Sequence, residues 1–391
     1  MFRVSFLFII LGFTCLSCKS EDKNKVVDSE KNIETLLNER YNKLLNYNLD
    51  STAFPRSYSL EKKQIKKVPS KDWTSGFFAG NLWQIYKLTG NKAFKQRAKQ
   101  WTAFIEKEKF NNRTHDMGFK VFCSFGNGLD IEGDNQGYKD VIVKSAKTLI
   151  TRYSPQVKSI RSWDWNADVW QFPVIIDNMM NLELLFEATK ISGDSTFHKL
   201  AVKHANTTLK NHFREDGSTW HVLDYDTISG QVRARATHQG IDDDSAWSRG
   251  QGWAVNGFTT VYRYTKDKKY LNRAVTTANY FINHKNMPED GIPYWDFDHP
   301  DIPYTSRDVS AGTIVASALV ELYQYTKHRQ VYHTEKEKSD GIIEGLVYYG
   351  ILPNAAIKDI NIDHKDDFFI KQESESLAAE DADEKVALIR E

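Results

Sequence analysis

Four stretches of this chain are variations on one unit, and that repetition limits the fold more than any other feature. Ser75 to Gly90 reads S-G-F-F-A-G-N-L-W-Q-I-Y-K-L-T-G, and Asp177 to Gly193 reads D-N-M-M-N-L-E-L-L-F-E-A-T-K-I-S-G. Ser248 to Lys266 ends V-Y-R-Y-T-K, and Ser310 to Lys327 ends V-E-L-Y-Q-Y-T-K. In each, small or polar residues precede an apolar face at helical spacing, and a Thr/Ser-Gly or Thr-Lys pair stops it. The first three are followed by a second amphipathic pattern, at Ala93 to Phe110, Thr196 to Phe213 and Lys269 to His284. Further helices are predicted from Ile33 to Leu49 and from Tyr138 to Tyr153, with Pro55 and Pro69 punctuating a loop before the first unit. Strand-like alternation is scarce and short. Helix hairpins repeated without intervening strands argue against an α/β fold and for an all-α array. Such hairpins stack as an open solenoid or close into a ring. Here the Asp, Arg, Gly and aromatic residues crowd the helix starts, which favours a closed α/α toroid with a cleft at that end.

The densest chemistry lies between Thr237 and Trp253, T-H-Q-G-I-D-D-D-S-A-W-S-R-G-Q-G-W. Three carboxylates (Asp242, Asp243, Asp244), Arg249, the amides Gln239 and Gln251, and the indoles Trp247 and Trp253 share this segment. Gly240, Gly250 and Gly252 let its backbone turn or approach a ligand closely. A helical pattern follows at once, so the segment is a loop delivered to a helix start. An arginine able to grip a carboxylate in a fork, beside flat aromatic faces, suits an acidic sugar better than a phosphate or a nucleic acid.

Two aspartates stand apart. Asp116, in T-H-D-M-G-F, occupies a loop after a helix and taken alone reads as a turn residue. Asp177 follows Val174-Ile175-Ile176 at a helix start, where an N-cap is the plain reading. Its apolar flank would also desolvate it, as a carboxylic general acid working near neutral pH requires. His221 comes after a turn at Asp216-Gly217, as a structural or a cleft histidine. Trp163, Trp165 and Trp170 serve either as sugar platforms or as core. His238 and the Asp242 to Asp244 run lack a metal-ligand spacing. The sequence has no phosphate loop, dinucleotide fingerprint or nucleophile elbow, so neither metal nor organic cofactor is expected.

Lys+Arg and Asp+Glu are both 52, which leaves no global field to attract nucleic acid or an anionic membrane. The N-terminus reads as a targeting segment: Arg3, an apolar run from Val4 to Phe13, then Leu16-Ser17-Cys18. That pattern is similar to a bacterial lipoprotein signal over residues 1–18, cleaved before Cys18 whose thiol would be lipidated, with residues 19–32 a polar tether and an exported protein held to a membrane only by lipid; an ordinary secretory signal, which also exports the protein, is the alternative. With Cys18 used so, Cys123 has no partner for an intrachain disulfide. The hairpin pattern occupies 33–327, and 328–391 is a divergent C-terminal segment.

Seven motifs in order carry a resemblance: D-W-T-S-G-F-F-A-G (72–80), H-D-M-G-F (115–119), I-I-D-N-M-M-N (175–181), D-G-S-T-W-H-V (216–222), T-H-Q-G (237–240), W-S-R-G-Q-G-W (247–253) and R-D-V-S-A (307–311). Together they resemble glycoside hydrolase family 88, the unsaturated glucuronyl hydrolases. The resemblance implies a six-hairpin (α/α)6 barrel, incomplete or divergent here at the C-terminus. It implies hydration of the C4=C5 double bond that polysaccharide lyases leave on a terminal uronic acid, after which the glycosidic bond falls apart. Asp177 would be the acid and then the base, and Asp116 would hold the sugar and stabilise charge. His221, Arg235, Thr237, Gln239, Arg249 and Trp253 would position the sugar, with Arg249 a candidate for the uronate. The expected partner is an unsaturated uronic-acid oligosaccharide from a glycosaminoglycan or ulvan. Because the pattern stops early, a non-catalytic oligosaccharide-binding surface lipoprotein is the alternative.

Overall fold

The computed structural model describes residues 33–59 and 62–326. The signal, the tether, Cys18 and the segment 328–391 lie outside them. Ten α-helices are described: α1 (Ile33–Leu45), α2 (Ser75–Thr89), α3 (Lys92–Ile105), α4 (Asn127–Glu132), α5 (Gln136–Ile150), α6 (Leu182–Ser192), α7 (Ser195–Asn211), α8 (Ser248–Thr265), α9 (Lys268–Asn283) and α10 (Val309–Thr326). Two of them are extended at their N-termini. A π-helical stretch, Gly118–Gly126, runs into α4, and a 3-10 stretch, Ile176–Asn181, runs into α6.

The hairpin joints follow from local chemistry. The inner helices α2, α6 and α8 each stop at a left-handed residue, Gly90, Gly193 and Lys266. An Asn or Asp comes next and caps the outer helix: Asn91 accepts from the Ala93 amide, Asp194 from Thr196 and Asp267 from Lys269. Asn135 does the same for α5. A left-handed stop followed by an Asx cap reverses the chain in two residues, satisfying carbonyls on one side and amides on the other. The helices that begin at Ser75, Gly118, Ile176 and Ser248 have no side-chain cap at their N-termini. Those starts are where polar side chains and backbone amides are left for other purposes.

The inner helices run parallel and close together. A Cβ on Gly76 would lie 2.2 Å from the Lys120 carbonyl oxygen, so α2 and the π-helical stretch touch backbone to backbone. The rows continue from that stretch to the 176–192 helix, to α8 and to α10, with α3, α5, α7 and α9 outside. Between the layers Trp83, Trp101, Phe94, Phe186, Phe197 and Phe281 are fully buried. This is the α/α-barrel architecture, its starts gathered at one end as the residue distribution predicts. Among the described residues no helix is long and apolar enough to cross a membrane.

Three local expectations change. The stretch punctuated by Pro55 and Pro69 is an antiparallel hairpin, β1 (Phe54–Ser59) with β2 (Gln64–Val68). Residues after Asp116 form an inner helix rather than a loop, and α1 ends at Leu45. Strands are short but placed with purpose. Beyond the small pair β3 (Tyr153–Ser154) and β4 (Ser159–Ile160), an antiparallel sheet in the order β5-β6-β7 joins Pro173–Ile175, Val222–Tyr225 and Val232–Ala236. Its strands deliver Asp177, His221 and Thr237 to one place.

Candidate active site

β5 ends at Ile175, paired with Val222 of β6, and the Ile176 amide donates to the His221 carbonyl at 3.1 Å. That register sets Asp177 beside His221. Its Oδ2 lies 3.5 Å from His221 Nε2, and neither atom has a hydrogen-bond partner although both are buried. Asp177 as a whole is 8% exposed. On the other side of the imidazole, Nδ1 accepts from the amides of His238 (2.9 Å) and Gln239 (3.1 Å). The turn that presents these amides is tied in several places. Thr237 Oγ1 accepts from the Gly240 amide at 2.7 Å, and the fully buried Asp296 accepts from the Ile241 amide and from Ser245 Oγ.

Asp116 is held differently. Thr114 Oγ1 donates to Oδ2, and His115 Nε2 stands 3.1 Å from Oδ1. Burial alone would push the Asp116 carboxyl up. The adjacent His115, the Thr114 hydroxyl and the Lys120 charge outweigh it and hold the group below the usual carboxylate range. One carboxylate is thus fixed and anionic, while the other keeps a buried oxygen unclaimed.

The two acids begin neighbouring inner helices. Asn181 Oδ1, four residues after Asp177, accepts from the Gly118 and Phe119 amides at 2.8 and 3.2 Å, bolting the turn after Asp116 to the turn after Asp177. A Cβ at Gly118 would meet Asn181 Cα at 2.7 Å. Gly118→Ala is therefore expected to pry the turns apart, destabilising the fold by about 1–3 kcal/mol through overpacking. Because misplacement by about 1 Å can cost 10²-fold, turnover should fall more than thermal stability; calorimetry alongside steady-state kinetics checks this.

Aromatic rings wall the same end of the barrel. Phe119, Trp247 and Trp253 form a cluster with Trp73, Phe77 and Trp295 packed on it. Trp253 Nε1 is buried without a partner. From Trp253 and Trp73 a cavity of ≈ 470 Å³ extends between α2 and α10 towards α1 and the β1–β2 hairpin. Its lining takes in Trp73, Arg249 and Trp253 but none of Asp116, Asp177 and His221, so this hollow does not itself hold the acids.

Comparison with known proteins decides the family. The family model described as Glycosyl Hydrolase Family 88 matches residues 51–264. An unsaturated glucuronyl hydrolase of Formosa agariphila is 58% identical over 334 residues, 84% of this chain and 83% of that protein. The chain belongs to glycoside hydrolase family 88. It is a glycosidase-type hydrolase by that membership. An unsaturated chondroitin disaccharide hydrolase of Streptococcus pneumoniae is 33% identical over 263 residues, 66% of this chain and 65% of that one. The solved structure of an unsaturated glucuronyl hydrolase specific for heparin superposes with a TM-score of 0.74 at 34% identity, covering 89% of this chain and 96% of its own. Fold and family therefore agree on a six-hairpin (α/α)6 barrel.

The remaining residues that the family 88 resemblance singles out fall in two groups. His221 adjoins Asp177, Thr237 and Gln239 meet the far side of its ring, and Trp253 packs on Phe119, three residues after Asp116. Arg249 lies over the Trp247 ring at 4.7 Å and lines the cavity, but its Nη1 donates to Asp308 and to Ser310 Oγ. Asp308 thus already faces the guanidinium expected to meet the uronate. Arg235 is exposed on β7, its guanidinium 4.9 Å over Trp220. Gln251, fully buried, exchanges hydrogen bonds with the Thr219 backbone and so steadies the approach to His221. The Asp242 and Asp243 carboxylates accept backbone amides of their own turn. Of the three tryptophans, Trp163 and Trp170 are buried, and only Trp165, stacked on Trp163 at 4.8 Å and 48% exposed, offers a face. Residues missed from the sequence are His115, Asn181, Asp296 and Asp308. H-D and R-D pairs were visible for two of them, but Asp296 acts on a turn 55 residues away and left no local signal.

Proposed function

We propose that this chain hydrates the C4=C5 bond of unsaturated uronyl oligosaccharides produced by polysaccharide lyases and so releases the uronic acid from its neighbour. The observation that carries the reading is the buried, unpartnered Oδ2 of Asp177 facing His221 at the cleft end of the barrel. Protonated Asp177 gives its proton to C4, and the double-bond electrons form the new C–H bond. The cation left at C5 is shared with the ring oxygen and lies near the Asp116 anion. Water attacks C5 and loses a proton to the Asp177 carboxylate, which restores the acid. The C5 hemiketal then opens to a ketone, leaving a hemiacetal at C1 that expels the second sugar. One well-placed carboxyl contributes about 10²–10⁴-fold in such steps. The rest comes from orientation and from preorganised charge in a dry cleft.

Glycosaminoglycan-type disaccharides fit best, since the relatives are named for chondroitin disaccharides and heparin. Ulvan fragments present the same terminal group, and the lipoprotein-like N-terminus fits an exported, lipid-anchored enzyme that meets them outside the cytoplasm. The full chain, incubated with unsaturated disaccharides from chondroitin, heparin and ulvan, is expected to bleach the double-bond absorbance of at least one. Undiminished absorbance with all of them, together with measurable binding, would leave only a sugar-binding role.

A further inference from the structure

An imidazole nitrogen that accepts hydrogen bonds carries no hydrogen. His221 Nδ1 accepts from two backbone amides, His238 at 2.9 Å and Gln239 at 3.1 Å, with Thr237 Oγ1 3.5 Å away. Backbone amides cannot reverse their polarity, so the hydrogen of the neutral ring sits on Nε2. Nε2 is 3.5 Å from Asp177 Oδ2, at the edge of hydrogen-bond range, and neither atom is partnered elsewhere. The ring is also packed against Trp247, with centroids 4.7 Å apart.

The turn that supplies the amides is built to stay in place. A Cβ on Gly240 would sit 2.7 Å from Thr237 Oγ1, 3.0 Å from Ser245 Oγ and 3.1 Å from Asp296 Oδ2. Asp296 Oδ2 holds the Ile241 amide and Ser245 Oγ while Oδ1 takes the Asp298 amide. A fully buried carboxylate on a distant loop thereby fixes the turn, the turn fixes the ring, and the ring faces the acid.

We propose that His221 is a positioning residue for Asp177: the 238–239 amides lock its hydrogen on Nε2, where it donates to the carboxylate formed when the acid releases its proton. This rests on the hydration reading above. His221 is then an aid to proton transfer rather than a sugar contact, and Asp296 and Gly240 support it from behind. Removing the donor makes the Asp177 carboxylate harder to form. Proton delivery slows. The titratable groups facing Asp177 are His221 and, one ring beyond at a centroid separation of 6.5 Å, His238; His115 and Asp116 belong to the neighbouring helix start.

Two substitutions separate the ring's two nitrogens. A glutamine amide reaches the Nε2 position and an asparagine amide only the Nδ1 position. His221→Gln is expected to keep kcat within about tenfold of wild type. His221→Asn should lower kcat by about 10²-fold, the scale of one lost donor to a developing charge, with KM little changed. Equal loss in both variants, or a rise in KM with kcat unmoved, overturns the proposal in favour of a sugar contact. The ¹⁵N spectrum of the unmutated full chain tests the lock without relying on variant folding. His221, assigned by its disappearance in either variant, should show a pyridine-like Nδ1 and a pyrrole-like Nε2, and the reverse overturns the lock. If the wild-type chain turns over no unsaturated uronide, the hydration reading fails while the tautomer is still decided by the spectrum.

Discussion

Asp177→Asn is expected to abolish turnover of unsaturated disaccharides, lowering kcat by at least the about 10²–10⁴-fold assigned to a positioned acid–base group. The loss should reach or exceed the upper end, because in the proposed reaction the same carboxyl first gives a proton to carbon and then takes one from water. An amide does neither. The substitution keeps the side-chain shape, and Asp177 Oδ2 has no hydrogen bond to lose, so the fold should be unaffected. Melting within a degree or so of wild type, KM within a few-fold and vanishing kcat is the pattern of an interaction made only along the reaction path. Steady-state kinetics by loss of double-bond absorbance, with calorimetry on the same samples, measures all three. Retention of even a tenth of the wild-type kcat would transfer the acid's role to another group and undo the assignment.

The hairpins were legible because both of their signals are local. An apolar face at helical spacing marks the helix, and a left-handed residue followed by Asn or Asp marks the joint. The inner helix after Asp116 was not legible, for a physical reason. Its winding is wider than that of an α-helix, so its buried positions, Gly118 to Val121 and then Ser124 to Gly126, miss the usual period. Gly118, Gly126 and Gly128 lower its helix propensity further. They are there because Asn181, Phe122 and Tyr138 occupy the space that a Cβ would take. The β1–β2 hairpin hid for another reason: its strands are mostly polar and partly exposed, so no clear alternation shows, and Pro55 sits within it.

The site divides along the same line. Asp177 announced itself through three aliphatic neighbours, and Asp116 through its place in H-D-M-G-F. Their partners came from far along the chain. Arg249 meets Asp308 59 positions later, and no reading of W-S-R-G-Q-G-W alone finds that carboxylate. What the sequence showed well was chemistry concentrated at helix starts. What it could not show was which side chains were already engaged by the protein itself.

The unread helix also carries the second large effect. Lys120 is fully buried, and its Nζ lies 3.1 Å from Glu108 Oε2, itself all but buried. Glu108 accepts as well from Ser70 Oγ at 2.6 Å and Asn111 Nδ2 at 2.7 Å. Burial would push the Glu108 carboxyl up, but Lys120, Asn111 and Ser70 together hold it below the usual range. Lys120→Met leaves that carboxylate buried without its cation and is expected to destabilise the fold by about 3–5 kcal/mol at neutral pH. The pH dependence has a definite sign. In the wild type a depressed carboxyl contributes stability above its unfolded value, and this is lost as pH falls through the folded value. In Lys120→Met burial dominates, so the carboxylate is penalised most at neutral pH and the penalty shrinks as acid protonates it. Denaturant titrations of both proteins from neutral to acidic pH should therefore converge. Adding Glu108→Gln to Lys120→Met should recover much of the loss, since the neutral amide can be buried and still meet Ser70. A gap that stays constant with pH, or no recovery in the double variant, would mean that Lys120 contributes through packing alone. Its charge also reaches the site, for it is among the groups that hold Asp116 ionised, and the Lys120 amide donates to the Asp116 carbonyl at 3.0 Å. A buried cation one helical turn behind the fixed carboxylate thus helps to keep Asp116 an anion.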